Sequence, residues 1–163
     1  MLCTSCTYDK TLKSTRITHK YRESGLDNVT LHGIQYEKCP KCGEEYFGYG
    51  DMEQLHALIA RVLVSKKMPL TFREAKFLRK FLGLSGSEYA ARIDVAHETV
   101  SRYETGKLKI PTQYDTLLRA LVATKLPDRD YDLHDSILHL KGPVLKRISL
   151  SAGDGIWTLK KSA

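Results

Sequence analysis

From residue 15 the apolar and polar positions alternate. Thr15, Ile17, His19 and Tyr21 interleave with Arg16, Thr18 and Lys20, the two-residue period of a half-buried strand. Ser24-Gly25-Leu26-Asp27-Asn28 is turn chemistry. Val29 and Leu31 then share one face, while Ile34 and Tyr36 follow in a phase shifted by one, and Gly33 at the shift predicts a β-bulge. After Tyr46, Phe47 and Tyr49 the period changes. Asp51 is a candidate N-cap, and Met52, Leu55, Leu58, Ile59, Val62 and Leu63 recur at helical spacing towards Ser65-Lys66-Lys67, with Met68-Pro69 beyond. This helix packs on the next domain, bridges two domains rigidly, or forms a dimer seam.

The helical signal sharpens at residue 71. Thr71-Phe72-Arg73-Glu74 is a capping box, and Ala75, Leu78, Phe81 and Leu82 form the apolar stripe of a helix ended by Gly83. Ser85-Gly86-Ser87-Glu88 is a second capping box and opens a short helix through Ile93, with small Ala90 where another helix can approach closely. Asp94-Val95-Ala96 makes a tight connection to a third helix from about His97 to Thr105, stopped by Gly106. A fourth carries Tyr114, Leu117, Leu118, Leu121 and Val122. Pro127 breaks it. Arg147–Leu150 and Ile156–Leu159 flank Ser151-Ala152-Gly153-Asp154-Gly155 and read as a hairpin, which either covers a core or adds strands in a dimer; Trp157 on it is an interaction anchor or, the favoured reading, buried. Asp128, Asp130, Asp132 and Asp135 form an acidic patch, but it lacks the glycine and the later Glu of a calcium-binding loop. The pattern is α+β. It divides into residues 1–50 (small antiparallel sheet), 51–68 (connecting helix), 69–126 (helical domain) and 127–163 (C-terminal extension), with separate cores expected in the two halves.

The 163 residues carry a net charge of +7. Residues 71–126 hold ten Lys/Arg against six Asp/Glu, more than half of the excess, so this segment is the first candidate to meet a polyanion. No run approaches the ~18 apolar residues of a membrane span. MLCTSCTYDK is not patterned as a secretory signal, and a cytoplasmic protein is expected.

All four cysteines lie in the first 42 residues as two C-x-x-C pairs, Cys3/Cys6 and Cys39/Cys42, 32 residues apart. A two-residue spacer lets both thiolates of a pair face one ion, and two pairs complete a tetrahedron of sulfurs. Disulfides need an oxidising compartment, a redox pair needs a βαβ context, and an iron–sulfur site is the less usual occupant of paired spacing. Zn2+ is therefore expected, one per chain and structural, since four thiolates leave no open position. His19 and His32 are then surplus as ligands.

Two short helices joined by a three-residue turn are a helix-turn-helix signature. Leu84-Ser85-x-x-Glu88-x-Ala90 and Val95-x-x-x-Thr99-Val100-Ser101-Arg102-Tyr103-Glu104-Thr105-Gly106 resemble the Xre/Cro-type family. Asp94 stands where that family usually has a turn glycine, and still tolerates left-handed φ. Ala96 stands where it has a Ser cap. With the N-terminal cysteine pairs, the connecting helix, Pro69-Leu70-Thr71 and Phe77-Leu78-Arg79-Lys80 added, about residues 1–125 resemble the MqsA/YgiT-type antitoxin family. The resemblance implies a zinc domain that binds a partner toxin and a helical domain that dimerises and represses its own operon through a palindromic operator in double-stranded DNA. In the best-known member an Asn and an Arg four apart read the bases. Glu98 and Arg102 occupy those positions here, so the operator is expected to differ.

Arg102 is expected to fork onto a guanine edge, against a salt bridge to Glu98 or Glu104. Glu98 either accepts from a cytosine amino group or is a solvated charge near a helix N-terminus. His97 and Thr99 are lesser base-reading candidates; Ser85, Ser87, Thr105, Lys107 and Lys109 suit phosphates; Tyr103 reads as core. Tyr36, Tyr46, Phe47 and Tyr49 exceed what a small sheet easily buries. They either form a toxin-binding surface or pack on the helix beginning at Asp51. The alternatives are a zinc-ribbon regulator without a toxin and, remotely, a thiol redox enzyme; no phosphate loop, open metal site or activated nucleophile is present in the sequence.

Overall fold

The computed structural model describes residues 2–126, 147–153 and 156–160. The acidic patch at Asp128–Asp135 and the hairpin tip at Asp154-Gly155 lie outside the described residues. The elements run β1 (Ser14–Lys20), a 3-10 turn (Arg22–Ser24), β2 (Val29–Lys38), β3 (Glu45–Gly48), α1 (Met52–Val64), α2 (Phe72–Phe81), α3 (Gly86–Arg92), α4 (His97–Glu104), α5 (Thr112–Lys125), β4 (Ile148–Gly153) and β5 (Ile156–Leu159). The fold is α+β, as the periodicities predict. No described helix is long and apolar enough to cross a membrane.

The five strands form one sheet centred on β2. β1 pairs antiparallel with β2, and the register slips between Ile17 and Thr18, opposite Gly33 at φ +74°. This is the expected bulge, and it keeps Ile17, Ile34, Leu31 and Val29 on one apolar face despite the phase change. The other edge of β2 is shared. β3 pairs antiparallel with its second half, from Gln35↔Gly48 to Lys38↔Glu45; β4 pairs parallel with its first half, from Val29↔Ile148 to His32↔Ser151. β5 closes the hairpin on β4. The C-terminal hairpin therefore widens the N-terminal sheet and covers its core, with Ile148, Leu150 and Trp157 buried in the shared cluster.

The expectation of separate cores does not hold. One cluster joins Val29, Leu31, Ile34, Ile148, Leu150 and Trp157 of the sheet to Leu55, Ile59 and Leu63 of α1, and onward to Ala75, Leu78, Leu118 and Val122. α1 is sandwiched between sheet and helices rather than standing free as a linker. A stretch of apolar positions at helical spacing cannot reveal that both its sides are covered; only the hairpin returning from residue 148 completes the sheet it covers. Trp157 is buried, donating from Nε1 to the Tyr49 carbonyl at 3.0 Å and from its backbone N–H to Gln54 Oε1 at 2.9 Å. The end of α1 is tied down by Arg119 of α5, a fully buried guanidinium that donates to the carbonyls of Leu63, Val64, Lys66 and Met68 and ion-pairs with Asp115. The Leu63 and Val64 carbonyls are among those a helix end leaves without internal partners, and those of Lys66 and Met68 lie in the loop just beyond, so a single side chain satisfies the stop and holds the exit. A small satellite cluster of Cys3, Leu12 and Cys39, with Cys6, Tyr8 and Tyr46 against it, stands apart from the main core.

Candidate metal centre and nucleic-acid interface

The first pair of cysteines precedes β1 and the second sits in the turn between β2 and β3, so folding of the sheet brings them together. The Cys39 N–H donates to the Glu44 carbonyl and the Gly43 N–H to the Cys39 carbonyl, closing a tight loop in which Gly43 takes φ +77°. The four sulfurs all lie within 4.8 Å of one another. Three separations are 3.5 Å (Cys3–Cys6), 3.6 Å (Cys3–Cys42) and 3.6 Å (Cys6–Cys39), and all four cysteines are free thiols. A tetrahedron with ~2.3 Å metal–sulfur bonds has edges of ~3.8 Å, so the arrangement fits one thiolate-bound ion. A hydrogen bond from the Tyr46 hydroxyl at 3.3 Å lowers the Cys3 thiol to about 6, while loss of solvent pushes Cys6 up to about 12. Crowded thiols cannot all ionise unaided; a divalent cation bound there would supply the missing charge.

Tyr46 also takes the Thr4 N–H at 3.0 Å, so it braces the metal loop rather than lying open for a partner. By sequence it belongs with Tyr36, Phe47 and Tyr49. Those three form a half-buried row without it: Phe47 stacks on Tyr49 with centroids 6.0 Å apart, Tyr36 tilts against Phe47 at 5.3 Å, and Tyr49 meets Tyr21 at 5.3 Å. The histidines do not join the sulfurs. His19 faces Glu23 and Tyr49, and His32 faces Thr18.

In the helical half both capping boxes form, at Thr71/Glu74 and Ser85/Glu88. Asp94 alone among the described non-glycine residues has positive φ, at 53°, and makes the turn between α3 and α4. Ala96 caps α4 with no side-chain bond, as expected. α4 is held by a buried ion pair that the sequence did not betray: Arg79 of α2 grips Glu104 at 2.5 and 2.7 Å. Glu104 is thus consumed within the core, and Arg102 has no ion-pair partner among the described residues. Arg102, Glu98 and His97 are exposed on α4; Thr99 is half-buried, and Tyr103 packs against Tyr114 at 5.2 Å. His97 leans on the first turn of α3, where a methyl group added at Gly86 would meet its Nε2 at 3.2 Å. Ser85 and Ser87 are exposed at the start of α3 with hydroxyls 3.2 Å apart; the Thr105 hydroxyl folds back onto the Ser101 carbonyl at 2.8 Å; Lys107 and Lys109 are exposed just beyond α4. The base-reading and phosphate candidates therefore flank one another on the α3–α4 unit, and the metal cluster belongs to the sheet.

The family described as the antitoxin component of bacterial toxin–antitoxin system, MqsA, matches residues 1–133. No curated protein and no solved structure matches the chain.

Proposed function

The chain belongs to the MqsA antitoxin family, and from that premise we propose that it is a DNA-binding antitoxin that binds its toxin through the metal-bearing sheet and represses its own operon as a dimer. The supporting observation is the face of α4. Arg102 and Glu98 stand one turn apart, exposed, on a helix fixed from behind by the buried Arg79–Glu104 pair. A guanidinium on a rigid helix can fork onto guanine O6 and N7 in the major groove, and Glu98 beside it accepts from a cytosine amino group. Ser85, Ser87, Lys107 and Lys109, with Thr105 once its hydroxyl turns outward, surround that face with phosphate contacts. His97 and Thr99 complete the reading turn.

Zn2+ is the ion assigned to Cys3, Cys6, Cys39 and Cys42, one per chain, with a structural role. The toxin surface is the outer side of the ring row Tyr36, Phe47 and Tyr49, while Tyr46 braces the metal loop beside it. Two half-exposed leucines, Leu108 at 43% and Leu117 at 40%, suit a dimer contact beside the reading helix and set two half-sites about one helical turn apart.

The test begins with selection of an operator from random duplexes. Arg102→Ala should then cost about 1–3 kcal/mol on the selected palindrome and little on random DNA. Unchanged specificity would remove α4 from the reading role. The toxin half is tested by challenging the full-length protein with the products of neighbouring genes; capture that restores growth to cells arrested by the captured protein is the expected result.

A further inference from the structure

Resting on the DNA-binding reading, we propose that the exposed face of α2, beside the Ser24-Gly25 turn of the sheet, forms a second phosphate-binding surface. It engages duplex DNA outside the bases that α4 reads. The exposed side of α2 carries Arg73, Lys76 and Lys80, spaced to share one stripe of the helix. These three cations, with Phe72, Thr105 and the Ser24-Gly25 turn, line a cleft of about 420 Å³.

The charge of the cleft is one-sided. Glu104 lines it, but both of its carboxylate oxygens are taken by Arg79. Asp27 is engaged by Arg73, whose guanidinium also lies 5.4 Å from the centre of the Phe72 ring. Lys76 and Lys80 have no ion-pair partner among the described residues. Two unmatched ammonium groups one turn apart are suited to consecutive phosphates, since a lysine is a point charge with little directional demand.

The stripe is physically continuous with the reading unit. Phe72, the first residue of α2, presses on Gly106, where an added methyl group would meet its ring at 3.2 Å. Gly106 is the turn between α4 and the exposed Lys107 and Lys109. A DNA backbone that follows Lys109 and Lys107 past the end of α4 meets the cleft next, at Thr105. An acidic protein partner is the less fitting occupant, because the only large exposed apolar side chain at the cleft is Phe72, at 38%.

The experiment uses the full-length, metal-loaded protein and its selected operator in two lengths: the bare palindrome, and the palindrome extended by a helical turn on each side. The double variant Lys76→Gln/Lys80→Gln should weaken binding to the extended duplex about tenfold and reduce the slope of log K against log salt by about two, at ~0.9 per phosphate. Binding to the bare palindrome and the preference for operator over random DNA should stay unchanged, and Lys76→Arg/Lys80→Arg should behave as wild type. Equal losses on both lengths, an unaltered slope, or loss of toxin capture with DNA binding intact would each overturn the proposal. Wild-type protein that selects no operator would overturn the underlying DNA-binding reading as well, so the two failures are distinguishable.

Discussion

Tyr46 stands seven residues beyond Cys39, yet its hydroxyl reaches back across the sheet to Cys3 and the Thr4 N–H. A donor on a metal-bound sulfur stabilises the thiolate and orients the loop that carries it. Tyr46→Phe should therefore reduce Zn2+ affinity about 10–100-fold in a chelator competition while leaving the helices intact; unchanged affinity would reduce Tyr46 to a packing residue. The cysteine quartet itself is legible because its spacing is local chemistry written twice. The role of Tyr46 is not, because its partner lies 42 residues away, and an aromatic with a distant hydroxyl partner looks in sequence like any surplus ring. The same holds for Arg79 and Glu104, 25 residues apart: each reads as an ordinary surface charge until α2 and α4 cross.

Among the elements, α4 matters most for the proposed function and has the weaker start. α2 and α3 both open with reciprocal capping boxes, whereas the first N–H groups of α4 receive nothing from the methyl group of Ala96. Ala96→Ser should stabilise the protein by about 1 kcal/mol in chemical denaturation, by supplying that acceptor. A destabilisation would show that the site cannot accommodate the hydroxyl. Helix starts, the Asp94 turn and the Gly33 bulge are legible because the residue that makes each feature stands at the feature. β3 and the parallel pairing of β4 are not: β3 spans only four residues, and nothing local to residues 148–151 specifies β2 as a neighbour.

At the level of the whole molecule the sheet and helices share a core while the metal cluster keeps its own. Cys39→Ser or chelation should therefore raise amide exchange at both metal loops, at β3 and at the end of β2, and leave α1 and the β2–β4 pairing protected. Cooperative loss of protection throughout would show that the two clusters fold as one. The junction also carries a proton-sensitive contact. His56 of α1 meets the Tyr21 hydroxyl at 2.9 Å and the Phe77 ring edge-on, and burial lowers its pKa below the ordinary 6.5. The unfolded chain thus binds a proton there more readily than the folded one, so stability is complete above pH 6.5 and declines as pH falls below it. Denaturation midpoints at about pH 7.5 and about pH 5.5 should differ, and His56→Gln, which keeps an acceptor for Tyr21, should narrow the difference. An equal difference in the variant would assign the effect to other groups.

The placement of β4 beside β2 has a consequence for how the protein is made. Cys42 is synthesised early, so the four thiolates are available for metal while most of the chain is still to come. The first half of the β2 edge, Val29–His32, has to wait for Ile148–Ser151. At ~5–20 residues per second the intervening stretch of about a hundred residues takes roughly 5–20 s to translate. For that interval the nascent chain carries its four clustered cysteines and an open strand edge beside an apolar face that Ile148–Ser151 later extends. A ribosome stalled after α5 would hold the sheet in that unfinished state, with the strand-binding edge that β4 otherwise covers still open.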